Sequence, residues 1–302
     1  MKRFVRLEAQ FNDIESMEMN LTKNNQIPER KKIIASVKRV VIKIGTNVLT
    51  AESHQLDTSL MEHLCQQVCW LMAKKKQVIV VTSAAIGAGM QILGWKKRPV
   101  KMEKLQAAAS VGQSRLMRFY ERIFREQGYN VGQVLLTKDI FESKSRKANA
   151  LAAIETLLSY KIVPIINEND VVTTDEIRFG DNDFLSAMVF ELLNADMLIL
   201  LTDVDGLFDA DPKNNGKVNL LSEVNSISDH HIAIAKRGTP SSLGRGGMIS
   251  KILAIKKVLE LGGVGLIANG KRPWVIRDIF LGKKIGTIFI PKRIKWTGKK
   301  GF

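Results

Sequence analysis

Two clusters of carboxamides and carboxylates lie close together in the middle of the chain. They are Asn-Glu-Asn-Asp at residues 167–170 and Gly-Asp-Asn-Asp at residues 180–183. Carboxylates packed this densely repel one another unless a cationic or polar group lies between them. Because both clusters lie on the segment between one strand and the next helix, they predict a site for a polar substrate. The alternative for each cluster alone is an Asx-rich turn, with Asp183 as the N-cap of the helix that follows.

Two lysines could supply positive charge to such a site. Lys43 lies in an apolar, β-branched stretch at residues 37–44 and is followed by Gly45. Burying a lysine there is costly unless it meets an anion, and a glycine allows a ligand to approach the backbone closely. The alternative is an edge-strand lysine that reaches solvent. Lys251 lies one turn into a helix that follows a glycine-rich segment, residues 242–247, whose spacing is not that of a Walker P-loop. Its free N–H groups and Lys251 predict phosphate binding.

Small residues at 83–89 follow a strand predicted over residues 77–82 and begin a helix. Such a segment presents free backbone N–H groups, which bind anions. The same small residues could instead allow two helices to pack closely. The sequence leaves both interpretations open.

Strands and helices alternate along most of the chain. We predict further strands over residues 130–136, 162–166, 195–201, 263–268 and 287–290, and helices over residues 57–75, 105–126, 144–160, 184–193 and 248–261. Residues 171–179 are predicted to form an antiparallel hairpin. This order is typical of one α/β domain with a mostly parallel sheet between helices, and such sheets bind ligands at the carboxyl ends of their strands. We assign residues 1–35 to an N-terminal extension with a short helix near residues 4–11, residues 36–291 to the domain and residues 292–302 to a basic tail.

Composition narrows the class of protein. The 302 residues are 45% hydrophobic and 25% charged, with a net charge of +16. No apolar run reaches membrane-spanning length and no signal-peptide pattern is present, so we expect a cytoplasmic protein. The basic charge has no nucleic-acid-binding motif beside it, so a nucleic-acid partner is not expected. Cys65 and Cys69 are predicted to be buried apolar residues, and the Asp-x-Asp pattern at residues 209–211 lacks the rest of a calcium loop.

Seven short motifs occur in one order along residues 38–290, and together they resemble those of the amino acid kinase family. They lie at residues 41–46, 81–83, 109–113, 166–170, 180–183, 201–203 and 246–251. The two Asx-rich motifs are similar to the branch that phosphorylates glutamate, rather than to those acting on acetylglutamate, aspartate, carbamate or UMP. The resemblance implies a three-layer αβα sandwich of the carbamate kinase-like type.

The same resemblance implies an activity. The γ-phosphoryl group of ATP would pass to the side-chain carboxylate of L-glutamate and give L-glutamyl 5-phosphate, the first intermediate toward proline. Mg²⁺ would accompany ATP, and a homo-oligomer, a dimer or a tetramer, is expected. The alternatives are a family kinase with another acidic substrate and a catalytically silent binding or regulatory protein.

The resemblance also assigns roles to individual residues. The catalytic set is Lys43, Lys251 and Asp183. The residues expected to bind glutamate are Ser83, Asp170, Asn182 and Asn167. Those expected to bind ATP are Lys43, Gly45, Thr202, Asp203, Arg245, Gly246, Gly247, Met248, Ile249, Ser250 and Lys251. No side chain is expected to chelate a metal directly.

Three features depart from the family pattern. The family often has Ser-Gly-Ala where this chain has Ser83-Ala84-Ala85. The methyl group of Ala84 could narrow access to the transferring phosphate. Arg245 interrupts the glycine-rich segment, where it could contact phosphate or face solvent. The C-terminal PUA domain of many bacterial members is expected to be absent, because the chain continues only into a basic tail.

Overall fold

The computed structural model describes residues 29–50, 55–173, 182–210, 218–237 and 247–295. The strands are β1 (Arg39–Ile44), β2 (Gln77–Val81), β3 (Val131–Leu136), β4 (Val163–Glu168), β5 (Met197–Thr202), β6 (Glu223–Val224), β7 (Val264–Asn269) and β8 (Thr287–Phe289). The helices are α1 (Glu29–Ser36), α2 (Thr46–Leu49), α3 (Thr58–Ala73), α4 (Ala85–Ile92), α5 (Met102–Glu126), α6 (Lys144–Ser159), α7 (Asn182–Leu192), α8 (Asp229–Arg237), α9 (Met248–Glu260) and α10 (Val275–Phe280). A 3-10 turn spans Lys138–Phe141.

The strands form one sheet in the order β3-β4-β2-β1-β5-β7-β8-β6. Its strand pairs are parallel except for β7 with β8, which confirms the predicted mostly parallel sheet. Because β1, β2, β4 and β5 are parallel neighbours, their carboxyl ends lie at the same edge. The polar segments that follow these strands are therefore brought together, as expected for an open α/β sheet.

The alternation of side chains along β1 shows how the layers are built. Val40, Ile42 and Ile44 pack with α3, α5 and α10 on one face, whereas Val41 packs with α6, α7 and α9 on the other. Successive side chains of a strand point to opposite faces. Lys43 therefore shares the face of Val41 and points toward the layer that contains α7 and α9.

The interpretation of Lys43 as an edge-strand lysine is wrong. β1 is bonded on both sides, to β2 and β5, and the Lys43 side chain is buried. The strand ends at Gly45, whose N–H donates to the carbonyl of Leu201 at 3.0 Å. Sheet position and strand alternation together force this lysine into the interior.

The small residues of α4 and α5 allow close helix packing. A Cβ on Gly89 would lie 1.7 Å from the carbonyl oxygen of Ala108, and one on Gly112 would lie 1.8 Å from that of Ala85. Both distances are far below a van der Waals contact, so the two helices touch backbone to backbone. Close packing is therefore the structural reason for Gly89 and Gly112, and residues at the start of α4 line a cavity as well.

Several elements differ from the sequence expectation. The sequence analysis did not predict α2, α8, α10 or β6. α1 falls in the segment assigned to an extension, yet its Ile33 and Ile34 belong to the core and the Arg30 guanidinium donates to the Ser222 carbonyl at 3.2 Å. The predicted helix at residues 4–11 and most of the hairpin at residues 171–179 lie outside the described residues. No helix within the described part of the chain is long and apolar enough to cross a membrane.

Candidate active site

Asp183 contacts both lysines that were predicted to bind phosphate, Lys43 and Lys251. Its Oδ1 lies 2.6 Å from the Nζ of Lys43, and its Oδ2 lies 3.1 Å from the Nζ of Lys251. All three side chains are buried, and that of Asp183 is fully so. Asp183 lies in the first turn of α7 rather than at an N-cap, so that alternative is wrong. Its carboxylate is instead used to hold two lysines from separate elements.

The charges of this cluster leave a surplus. Two ammonium groups face one carboxylate, which gives a formal net charge of +1 at a site largely removed from water. Buried charges are tolerated only where they are paired and hydrogen-bonded. The Ser250 hydroxyl lies 2.8 Å from both Asp183 Oδ2 and the carbonyl of Gly247, and can donate to either. The surplus positive charge suits an anionic ligand such as phosphate.

The predicted nucleotide residues lie around the ends of β1 and β5 and at the start of α9. A Cβ on Gly45 would lie 3.2 Å from the carbonyl oxygen of Leu201, a tight contact, and 3.6 Å from Lys43 Nζ, an ordinary one. At the end of β5, the Thr202 hydroxyl donates to Asp203 Oδ1 at 3.1 Å, and Asn47 donates to Asp203 Oδ2 at 2.8 Å.

The start of α9 supplies the other nucleotide positions. Gly247 precedes α9, and Met248, Ile249, Ser250 and Lys251 form its first turn. The N–H groups of a first helical turn lack partners within the helix and can bind phosphate. Arg245 and Gly246 lie outside the described residues, so the role of Arg245 stays a prediction.

A polar cavity adjoins the lysine cluster. It is lined by the segment 83–87, by the end of β4 and by the first residue of α7, and it contains all four residues predicted to bind glutamate: Ser83, Asn167, Asp170 and Asn182. Asn182 lines the cavity while its neighbour Asp183 holds the lysines. The first turn of α7 is therefore the boundary between the cavity and the cationic cluster.

Amide hydrogen bonds fix this side of the site. The Asn182 amide nitrogen lies 2.8 Å from Asn167 Oδ1 and 3.1 Å from Ser83 Oγ, and it also reaches the carbonyl of Thr82. The Asn167 amide donates in turn to Gln113 Oε1 at 2.8 Å. The sequence analysis assigned no role to Gln113, although it belongs to one of the family motifs. Its position on α5 makes it the outer support of Asn167.

Asp170, one of two acidic residues that line the cavity, has a raised pKa. Burial raises the pKa of Asp170 to about 6, while the positive charge of Arg98 acts in the opposite direction. Arg98 also lines the cavity. Nothing in the sequence distinguishes Arg98 from the basic residues around it, so no role was predicted for it.

Ala84 adopts a backbone conformation that suits glycine. Its φ is +77° and its ψ is 8°, at the residue just before α4. A left-handed conformation costs a residue with a Cβ about 1 kcal/mol or more. Ala84 is buried and lines the cavity. The departure at residue 84 thus places a methyl group at a strained turn beside the predicted substrate.

The remaining candidates for chemistry behave as structural residues. Cys65 and Cys69 are free and buried, and burial raises the pKa of Cys69 to about 12, so neither thiol is poised to ionise. Within the described ranges, no group of three histidine, cysteine or acidic side chains is placed to hold a metal ion.

The chain is similar to known proteins over most of its length. The family model described as "Amino acid kinase family" matches residues 38–269. The glutamate 5-kinase of Geobacter sulfurreducens is 44% identical over 262 residues, which cover 87% of this chain and 70% of that protein. The glutamate 5-kinase of Burkholderia multivorans is 44% identical over 270 residues, covering 89% and 72%.

Solved structures show the same fold at low sequence identity. A UMP kinase from Bacillus anthracis has a TM-score of 0.58 at 15% identity, over 85% of this chain and 97% of that chain. A carbamate kinase from Giardia lamblia bound to AMP-PNP has a TM-score of 0.59 at 16% identity, over 85% and 100%. The match to the family model covers more than half of the chain, and the relatives agree with it: the chain belongs to the amino acid kinase family.

Proposed function

We propose that this chain is an ATP-dependent kinase of the side-chain carboxylate of L-glutamate, with L-glutamyl 5-phosphate as its product. The observation that carries the proposal is the adjacency of Asn182 and Asp183. One lines a cavity of amide and carboxylate groups, and the other holds two buried lysines. The 44% identity to glutamate 5-kinases supports the choice of acceptor. The reaction is the first step of proline biosynthesis.

Each side of the site has a part in the transfer. A γ-carboxylate oxygen of glutamate forms a bond to the γ-phosphorus of ATP while the bond to the β–γ bridging oxygen breaks and ADP leaves. Such a reaction depends on alignment and on neutralisation of charge rather than on a protein nucleophile. Lys43 and Lys251 are proposed to neutralise the phosphates, and Asp183 to hold both lysines in place.

The cavity is proposed to bind glutamate. Asp170 offers a carboxylate for the α-ammonium group, while Ser83, Asn167 and Asn182 form a hydrogen-bonded set beside the acceptor carboxylate. Ala85, Ile86 and Gly87 at the start of α4 line the same cavity, and the free N–H groups of a first helical turn suit an anionic oxygen.

A divalent metal ion is proposed to arrive with ATP. The described residues hold no cluster of three potential ligands, and both oxygens of Asp183 already contact lysines. This donor set fits Mg²⁺ carried by the nucleotide phosphates and water, rather than an ion chelated by the protein. When bound, the ion would neutralise phosphate charge.

A homo-oligomer, dimer or tetramer, is proposed as well. Among the described strands, β3 pairs only with β4, and Leu135 on β3 and Val111 on α5 are exposed apolar side chains nearby. An unpaired edge with apolar residues favours contact with another chain. Light scattering during size-exclusion chromatography would measure the assembly. A cytoplasmic location stays a prediction from the sequence.

An acceptor panel tests the proposed function. The protein is incubated with Mg-ATP and hydroxylamine, which traps acyl phosphates as hydroxamates, and with L-glutamate, N-acetylglutamate, aspartate or UMP. We expect ADP release and hydroxamate with L-glutamate alone. Turnover of another acceptor would favour a family kinase with a different substrate. ATP binding without turnover of any acceptor would favour a silent binding protein.

A further inference from the structure

Arg98 differs from the rest of the basic segment at residues 96–104. Lys96, Lys97, Lys101 and Lys104 are exposed, whereas Arg98 is half-buried and lines the cavity beside the first residue of α7. Among the cavity-lining residues in the described part of the chain, Arg98 carries the positive charge, and Glu168 and Asp170 carry the negative ones. This arginine therefore differs from a solvated surface cation.

The loop between α4 and α5, which carries Arg98, is anchored to both helices. Trp95 packs against a small apolar cluster formed by Ile86 and Met90 of α4 and by Leu105, Ala108 and Ala109 of α5. Its N–H donates to the carbonyl of Met90 at 2.9 Å, just after a turn in which Gly94 has a φ of +68°. Since Trp95 holds the loop against both helices, Arg98 three residues later has a defined place at the cavity.

The pair formed by Arg98 and Asp170 matches the chemistry of an α-amino acid. The α-carbon of glutamate carries an ammonium group and a carboxylate side by side, and its third charge is the γ-carboxylate that accepts phosphate. Asp170 and Arg98 both line the cavity, and they are close enough for the positive charge of Arg98 to act on the Asp170 carboxylate. An arginine binds a carboxylate with two parallel hydrogen bonds, and such charge-assisted pairs are among the stronger ones.

We propose that Arg98 binds the α-carboxylate of the acceptor, so that Arg98 and Asp170 together recognise its zwitterionic α-carbon. The proposal rests on the proposed function and adds a specificity residue to it. The selected acceptors carry both a free α-carboxylate and a free α-ammonium group. The γ-carboxylate is then left to approach the lysine cluster that Asp183 holds, next to the cavity-lining Asn182.

L-Isoglutamine provides a direct test. It keeps the ammonium group and the γ-carboxylate of glutamate but has a neutral amide in place of the α-carboxylate. The protein, Arg98→Gln, Arg98→Lys and the control Lys97→Gln are assayed with L-glutamate and with L-isoglutamine. Each compound is measured as an acceptor by hydroxamate formation, or as an inhibitor of glutamate where it is not turned over. Circular dichroism and thermal melting verify that each variant is folded.

The expected pattern is specific to the charge on the α-carbon. Arg98→Gln should raise the KM for glutamate by about 10–100-fold, the effect of losing a charged hydrogen-bond partner. It should change the KM or the inhibition constant of L-isoglutamine by less than about threefold, because that compound has no α-carboxylate for Arg98 to bind. Arg98→Lys should lie between, and Lys97→Gln should match the parent protein.

Three outcomes would overturn the proposal. Equal weakening of both compounds by Arg98→Gln would mean that Arg98 acts only by holding Asp170, whose ammonium partner both compounds share. Unchanged constants for both would mean that Arg98 has no part in recognition. An effect on kcat with no change in KM would place it elsewhere in the reaction. If the parent protein failed to phosphorylate glutamate, the proposed function itself would fail, and that result precedes any variant.

Discussion

The two halves of the site are stabilised by different physical means. On the lysine side, a fully buried Asp183 contacts two ammonium groups at 2.6 and 3.1 Å. On the cavity side, the fixed contacts are hydrogen bonds between neutral amides and hydroxyls, and the carboxylate of Asp170 is destabilised by burial. One half is a tightly paired charged cluster, and the other combines hydrogen-bonded neutral groups with the charged side chains of Arg98, Glu168 and Asp170.

This difference suits the two tasks of a phosphoryl transfer. The charge on the transferring group develops at one place, and preorganised cations there contribute mainly to rate. Recognition of an amino acid requires groups that become satisfied only when the ligand arrives. The comparison therefore predicts that substitutions on the lysine side lower kcat, and that substitutions in the cavity raise the KM for glutamate.

The largest effect is expected from Lys251→Ala. It removes a buried cation from the phosphate side, and kcat should fall by about 10²–10³-fold or more. The matched control is Lys256→Ala, an exposed lysine on the same helix, which should leave kcat unchanged. Steady-state assays of ADP release measure both variants. Near-parent turnover by Lys251→Ala would contradict the role given to the lysine cluster.

Asp170→Asn should change binding more than rate. Loss of the carboxylate removes the proposed partner of the α-ammonium group, and the KM for glutamate should rise by about 10–100-fold while the KM for ATP stays near its parent value. An unchanged KM for glutamate would place the acceptor elsewhere. A fall in kcat with no change in KM would show that Asp170 acts in phosphoryl transfer rather than in glutamate binding.

The proton affinity of Asp170 adds a pH signature. With a pKa near 6, the carboxylate is lost as pH falls through 6, so kcat/KM for glutamate should decline about tenfold per unit below that value. Asp170→Asn should flatten this limb of the profile. A parent profile that stays level from pH 7 to pH 5 would contradict the assignment.

The same group should lower stability at neutral pH. A carboxyl whose pKa is raised on folding binds its proton more tightly in the folded state, so stability decreases as pH rises from about 4 to 6 and stays lower above that. Asp170→Asn should therefore raise the free energy of unfolding at pH 7.5 by on the order of 1 kcal/mol, measured by urea denaturation. Asp139→Asn is the contrast, because hydrogen bonding, first with Thr137, and the charge of Arg146 lower the pKa of that exposed acid. If Asp139→Asn raised the free energy of unfolding and Asp170→Asn did not, the expectation would be contradicted.

A smaller effect is expected from Ala84→Gly. Glycine adopts a φ of +77° without strain, so the change should stabilise the protein by about 0.5–1 kcal/mol in urea denaturation. Ala88→Gly, within α4, is the control and should destabilise, because glycine weakens a helix interior. If Ala84→Gly also changes the KM for glutamate, the methyl group at residue 84 shapes the cavity as well.

Much of the fold could be predicted from periodicity alone. The alternation of apolar strands and helices predicted the parallel sheet, and local sequence predicted the long helix α5. The elements that sequence analysis missed are short. β6 has two residues and α10 has six, so their local patterns carry little signal. Tertiary contacts hold them, such as the buried Ile276 and Ile279 of α10.

The site was predictable to a similar extent. Lys43, Asp183 and Lys251 were singled out by residue type and by motif, and the structure brings them together. Arg98 and Gln113 could not be assigned roles, because Arg98 meets the cavity through the loop that Trp95 anchors, and Gln113 meets Asn167 through the position of α5. Sequence patterns identify residues that meet a ligand at strand ends more readily than those that long-range packing brings to the same place.

The separation of rate from recognition can be measured with a double-substitution cycle. Values of kcat/KM for glutamate are determined for the parent protein, Lys251→Ala, Asp170→Asn and the variant with both changes, with protein concentrations raised until hydroxamate is measurable. Because the two side chains are assigned to different halves of the site, the two fold-losses should multiply to within about twofold. A double variant no worse than Lys251→Ala alone would show that both residues act in one step, and would contradict the division at the first turn of α7.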